Sequence, residues 1–466
     1  RVPDLPWRRR NSWVDSFASW QNPTRPGGAV AGTYKEEGGS LVQSLRRSLS
    51  SAHPAVFTLV AGLAGFSAYF AMYAFRKPFS VATYGHVAGW DFALDYKIAL
   101  VLAQVLGYAV SKFIGIKVVS ELPPARRPLA IVALIAGAWA SLIAFALVPA
   151  PWNVGFLFLN GLPLGMIWGL VFGFMEGRRT SEVLGAVVCA SFIVSSGAVK
   201  SVGKWLMTDF HVPVSWMPAA TGSLFIPLLL FSVWLLAALP PPTAADEAAR
   251  VKRVPMDGRA RAAFLRQYGL GILLLVVTYV FATALRDFRD NFAAELWLAL
   301  GRGDGVAIFT ASELPVAALA LVVLGLIIIV KDNARALMVI HGVVFGGLLL
   351  LGASTLAFRC GYLGPVTWMI LSGAGLYMAY TPFNAMLFDR LVAVSGRVGT
   401  AGFLIYVADT AGYFGSSALL IWRNFGLVSL DWLEVYVKSA YAISVAGMVC
   451  VAAAALYFRR QRHTTG

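Results

Sequence analysis

Long apolar runs separated by short polar connections recur from residue 55 to the end of the chain. Twelve can be drawn, at 55–77, 97–117, 128–148, 152–175, 183–206, 216–239, 266–286, 306–330, 334–357, 362–388, 398–421 and 434–458. Each supplies the ~20 residues that a helix needs to cross a bilayer. Glycine and proline inside such runs are ordinary where helices pack on neighbouring helices. Beyond Pro78 the first run is followed by another apolar stretch, Phe79–Trp90, that would prolong it. The pattern predicts an all-α membrane protein of twelve transmembrane helices.

A polar stretch that opens on Pro240-Pro241-Pro242 separates six runs from six. The expected organisation is a largely disordered tail at 1–52, a six-helix half at 53–239, a linker at 240–265, a second half at 266–460 and a short tail at 461–466. The tail mixes Pro, Gly, Ser and charge with Trp7, Trp13 and Trp20, a composition that buries little apolar surface. Around Leu41–Leu49 a short amphipathic helix would turn Arg46 and Arg47 toward lipid headgroups. Arg126, Arg127, Arg178, Arg179, Lys331, Arg335, Arg390, Arg397, the linker's Arg250, Lys252, Arg253, Arg259 and Arg261, and Arg459, Arg460 and Arg462 fall on one side. Opposite connections carry chiefly Lys97, Lys204, Arg302, Arg359 and Arg423. Positive charge is retained inside, so both termini and the linker are expected in the cytoplasm and the protein in the inner cell membrane.

The halves repeat one another. Tyr69–Arg76 and Tyr279–Arg286 both place a Tyr seven residues before an Arg and an Ala two before it, and they lie 210 residues apart. Tyr69, Tyr73 and Arg76 share one helical face, as do Tyr279, Thr283 and Arg286. Gly161–Met166 parallels Gly373–Met378 at an offset of 212, and Arg178 parallels Arg390 at the same offset. Parallel halves of six helices are the layout of secondary transporters, with the site midway between them. Arginine is a permanent cation with a planar fork of donors suited to phosphate or carboxylate. The spacing therefore points to two cations at one anion site, with Tyr69, Tyr73 and Tyr279 donating hydroxyl hydrogen bonds.

Composition narrows the classes. The 466 residues are 58% hydrophobic and 13% charged, with mean hydropathy +0.71, against roughly 25% charged in soluble domains. The net charge of +15 is spread over connections rather than gathered on a solvated domain, so no nucleic-acid partner is expected; the partners are the lipid bilayer and a small anionic substrate, and the chain is read as a monomer. Cys189, Cys360 and Cys450 have no metal spacing and form no disulfide framework, and the five histidines form no cluster. No glycine loop followed by Lys and Ser or Thr and no HExxH occurs. No metal, cofactor, enzymatic activity or ATP-driven step is expected.

A charge inside the bilayer costs ~2.5–3.5 kcal/mol or more, so it usually has a partner or a task. Glu313, about eight residues into its run, would take Lys77 or Arg286 as a partner on another helix. Asp409, near the middle of the eleventh run, is the candidate for proton coupling. Asp287, Arg289 and Asp290 beside Arg286 fit either local neutralisation or gating. Lys112 and Lys200 lie near helix ends, where snorkelling is the ordinary reading. Arg76 and Arg286 fit either an outer anchor or the middle of longer, tilted helices.

Tyr73-Ala74-Phe75-Arg76-Lys77-Pro78-Phe79 is similar to the first-helix segment Tyr–Leu–Val–Arg–Lys–Asn–Phe of the organophosphate:phosphate antiporter branch of the major facilitator superfamily. Ser111-Lys112-Phe113-Ile114, the Tyr279–Arg286 segment, Val398–Phe403 and Gly412-Tyr413-Phe414-Gly415 resemble its second, seventh and eleventh helices. The resemblance implies phosphate recognition by Arg76 and Arg286, support from Lys112, and ion pairs of Lys77, Asp290 and Glu313 that exchange between the halves. Ser191 follows Cys189-Ala190 where the branch has a histidine, and the cytoplasmic loop motif keeps only an outline, with Glu121 in place of its Asp. The expected function is secondary active transport of an organic phosphate or similar small organic anion by alternating access, in exchange for phosphate or with protons. The alternative is a membrane sensor that binds a sugar phosphate without moving it, and a carboxylate substrate on the same fold is a third reading.

Overall fold

The computed structural model describes residues 40–176, 178–243, 246, 258–395, 401–426 and 430–465. No strand occurs among them. The helices are α1 Pro54–Tyr73, α2 Tyr96–Glu121, α3 Arg127–Leu147, α4 Val154–Phe172 and α5 Ser181–Thr208. The sixth, α6, is Met217–Leu224 followed by Ile226–Ala238. Then come α7 Gly258–Asn291, α8 Ile308–Ile329, α9 Asn333–Arg359, α10 Pro365–Pro382 with its continuation Phe388–Ser395, α11 Ala401–Gly426 and α12 Trp432–Thr465. Eight of these are long and apolar enough to span a membrane, and the bent pair of α6 makes a ninth. The others, α2, α10 and α11, carry much of the polar and aromatic interior described below. The chain is an all-α, multi-pass membrane protein.

The two halves meet where α2 packs on α11 and α5 on α8. Exchanging each helix for its equivalent six places away in the other half (α2 for α8, α11 for α5) turns one contact into the other, so the interface has the pseudo-twofold symmetry that the sequence repeat predicts. Twelve crossings return the chain to its starting side; the end opposite the termini is termed the outer end.

Helix boundaries depart from the apolar pattern where backbone chemistry intervenes. The first helix stops at Tyr73, and Pro78 opens a separate 3-10 turn, Pro78–Val81. Proline lacks the donor that a continuing helix needs, so the expected extension to Trp90 does not form. The seventh helix does the reverse: it runs to Asn291, five residues past the expected end, and starts at Gly258 inside the expected linker. The sixth bends by 45° at Phe225, just before Pro227. The tenth widens into a π turn at Phe383–Leu387 directly after Pro382, as proline-disturbed helices do where backbone bonds must be re-satisfied.

The amphipathic helix forms at Ser40–Ser50. Its Arg46 donates to the Ala237 carbonyl at 2.8 Å, capping the end of α6, and both Arg46 and Arg47 are exposed. Cations satisfy helix C-terminal carbonyls well. The tail up to residue 39, linker residues Arg250, Lys252 and Arg253, and Val398–Thr400 of the eleventh-helix motif lie outside the described residues, as do the side chains of Glu121, Arg259 and Arg261.

Candidate central site and outer gate

Side chains on a helix lean toward its N-terminus. On α7, which runs outward, Arg286 therefore reaches back from backbone near the outer end, whereas Arg76 lies in the turn just beyond the end of α1. The partners fix the depth. The Arg76 guanidinium lies 4.2 Å from the Tyr108 ring centre, and Tyr108 is 12 residues from the start and 13 from the end of α2. The Arg286 guanidinium lies 3.8 Å from the Tyr380 ring, and Tyr380 is midway along the stretch from Pro365 to Ser395. Both cations sit at mid-helix depth.

Their partners differ. Arg286 Nη2 pairs with Asp287 Oδ1 at 2.5 Å, and Asp287 accepts a second bond from Ser416 at 2.8 Å. Arg76 has no carboxylate partner among the described residues, and its Nε is buried without a hydrogen bond. Only aromatic rings face it, Tyr108 and, at 5.6 Å, Tyr73. The Tyr73 phenol lies within electrostatic reach of both Arg76 and Arg286, so the two expected cations share one interior.

Tyrosines line that interior. Tyr69 stands edge-on to Tyr73 and to Trp168, Tyr108 to Tyr413, and Tyr279 stacks on Tyr380 at 5.2 Å. Phe192 of α5 reaches across to Tyr377 and Tyr380 of α10. On the side toward the termini, Lys112 of α2 pairs with Asp409 of α11, and Tyr279 Oη donates to Asp409 Oδ1 at 2.5 Å. Asn384, in the π turn, donates to Tyr279 Oη at 3.2 Å. Lys112 therefore joins the halves instead of snorkelling.

Toward the outer end the halves are bolted by buried charge. Asp290 of α7 receives Lys77 at 2.5 Å on one oxygen, and Lys200 at 2.5 Å together with Ser196 on the other. Lys77 also donates to Asn291 at 2.8 Å. Farther out, Lys97 donates to both oxygens of Glu295 at 2.6 and 2.7 Å and to the Ser80 carbonyl at 2.8 Å. Asn424 ties its half to the backbone of Ala93 and Asp95. Apart from the Lys97–Ser80 bond, each of these contacts joins the first half to the second, and together they close the outer path.

Some assignments change. The partner of Glu313 is Arg289, at 2.7 Å, within the second half, and not Lys77 or Arg286. Lys200 is buried in the gate, not snorkelling at a helix end. Lys97, read from sequence only as a loop charge, is fully buried. The Ser191 hydroxyl is satisfied by the Val188 carbonyl of its own helix. The sequence reading did not single out Tyr108, nor Tyr377 and Tyr380, whose helical spacing along α10 was the available signal, and it counted Tyr413 only within a motif. A cavity of ≈ 580 Å³ opens at the outer mouth, and neither arginine lines it.

The architecture matches known transport proteins. The structure is similar to that of a D-xylose–proton symporter, with TM-score 0.57 and 16% identity over 87% of this chain and 97% of that one. It is similar to a peptide transporter of the POT type solved with sulfate, with TM-score 0.58 and 14% identity over 90% and 99%. A POT family transporter solved with 5-aminolevulinic acid gives 0.52 and 12% over 84% and 94%. The fold is thus of the major facilitator type, twelve helices in two pseudo-symmetric halves. By sequence the chain belongs to the family described as a family of unknown function, DUF5690, which matches residues 78–461. No curated protein matches it.

Proposed function

We propose that the protein is a secondary transporter for a small organic anion of the organic phosphate class, working by alternating access in the inner membrane with both termini cytoplasmic. The observation that carries this reading is Arg76, a permanent cation at mid-membrane with aromatic neighbours and no carboxylate. A desolvated, unpaired cation is costly, and an anion that enters from either side relieves that cost. The surrounding charges fit the same reading. Lys97, Lys112, Arg286 and Arg289 each have a carboxylate of their own, whereas Lys77 and Lys200 share Asp290 and Arg76 has none. The surplus is two positive charges, which suits a dianion such as a phosphate monoester (charge about −1.5 to −2 at pH 7). Arg286 supplies the second arm by trading Asp287 for the substrate, Tyr69 and Tyr73 add hydroxyl donors, and Tyr279 adds one by releasing Asp409, to which it donates here. Exchange for phosphate or cotransport with protons, the latter through Asp409, completes the cycle.

Proteoliposomes loaded with glucose 6-phosphate test it. Arg76→Lys keeps the charge but loses the planar fork; counterflow should fall at least tenfold with the thermal midpoint unchanged. Full activity in that variant removes the arginine site. Saturable binding without any flux would make the protein a sensor, and inhibition by succinate but not by phosphate esters would reassign the substrate to dicarboxylates.

A further inference from the structure

The cavity at the outer mouth has the makings of a site of its own. Its ≈ 580 Å³ falls in the range of small-molecule sites. Tyr84, Tyr96, Asn153, Lys204 and the rings of Phe145 and Phe309 line it. Tyr84 Oη and Asn153 Oδ1 are both buried without a hydrogen-bond partner, a condition that proteins rarely leave uncompensated. The Asn153 amide is already oriented, because its Nδ2 donates to Tyr96 Oη at 2.7 Å. That bond leaves the Tyr96 hydroxyl proton and the Asn153 oxygen for something else. Tyr84 is moreover held at φ +49°, a backbone state that is an outlier for a bulky side chain, and such strain collects at functional positions. Lys204 makes no ion pair among the described residues.

We infer that this vestibule is a second solute site, which captures a hydroxyl-bearing organic anion above the closed gate. Lys204 meets the anionic group, the phenols of Tyr84 and Tyr96 donate to hydroxyl oxygens, and Asn153 Oδ1 accepts a hydroxyl proton. The Tyr84, Phe145 and Phe309 rings cover the apolar face of a sugar-like carbon frame. The site also touches the gate. Val81 ends the 3-10 turn that begins right after Lys77, Ala82 follows it, and Ala294 adjoins Glu295, so occupancy bears directly on the elements that must part. The ligand class rests on the central-site reading above; the existence of the site stands on the outer mouth alone.

Equilibrium binding of radiolabelled glucose 6-phosphate to the full chain in lipid nanodiscs tests this, with Arg76→Gln, Tyr84→Phe and Lys204→Gln as variants. The expected result is two bound equivalents in the native protein and one in Arg76→Gln. Each vestibule variant should weaken the remaining class at least tenfold when combined with Arg76→Gln. If Arg76→Gln alone abolishes all binding, the vestibule site is overturned and the central one stands. If binding is untouched by Arg76→Gln but lost with Tyr84→Phe and Lys204→Gln, the vestibule stands and the central reading falls. Absence of binding to the native protein overturns both.

Discussion

Arg76 and Lys77 are neighbours in the chain with opposite fates. Lys77, at the turn after α1, extends sideways to Asp290 and Asn291 of the other half, while Arg76 leans back into the tyrosine-lined interior with no anion to meet. One residue of offset, at the point where the helix ends, thus separates a charge paired across the halves from one without a carboxylate among the described residues. Sequence alone left the depth of Arg76 open because depth depends on side-chain direction and on which ring receives the guanidinium, and neither is local information. The partners of Glu313, Lys97 and Lys200 were hidden for the same reason: each lies on a segment remote in sequence. The pair on the side toward the termini is separable by experiment. Loss of one member of a buried ion pair costs about 3–5 kcal/mol, and the 25% exposure of the Lys112 side chain moves this pair toward the lower end. Lys112→Ala should lower the thermal midpoint, and addition of Asp409→Asn should recover at least half of the loss, since it removes the stranded charge. A double variant no better than the single would show that Lys112 and Asp409 are not an energetic unit.

At the level of elements, the apolar runs were plainly legible, because twenty consecutive apolar residues have few other interpretations. The ends were less so: Pro78 stopped α1, while α7 ran on through charged residues whose partners lie in both halves, Asp287 and Glu313 in its own and Lys77 and Lys200 in the other. The π turn in α10 left no hydrophobicity signal, only Pro382. Between halves, a close approach is made at Gly197 of α5, where an added Cβ would lie 2.4 Å from the Phe309 carbonyl and 3.0 Å from Glu313 side-chain carbons. Backbones meet this closely only where small residues permit it. Gly197→Ala leaves α5 itself at least as helical but holds α5 and α8 apart in the closed arrangement. In a background without native cysteines, Ser80→Cys, buried within the gate between Lys77 and Lys97, should then react with an impermeant thiol reagent at least tenfold faster, which corresponds to ~1.4 kcal/mol against closure. An unchanged rate would show that the outer gate does not depend on this contact.

For the molecule as a whole, the repeats at 210 and 212 residues announced the pseudo-symmetry, but nothing in them told which end would be closed. That follows from where the charges pair. The outer layer holds Lys77, Lys200 and Asp290, and Lys97 with Glu295 beyond them, all between halves. To open it, these pairs must part, and the interior then retains its surplus of positive charge throughout the rocking motion. On the proposed function, a bound dianion would cancel the surplus, bridge Arg76 to Arg286 and draw the halves together, so that the loaded protein would cross its barrier more easily than the empty one. An empty carrier must pass through the occluded state with Arg76 unpaired in a low-dielectric interior, where the penalty is several kcal/mol. The consequence is a preference for exchange. Uptake of labelled glucose 6-phosphate into proteoliposomes preloaded with the unlabelled compound, or with inorganic phosphate, should exceed uptake into empty ones by at least tenfold at zero membrane potential. Equal rates in loaded and empty vesicles would mean that the empty carrier returns freely, and the surplus charge would then have no part in coupling.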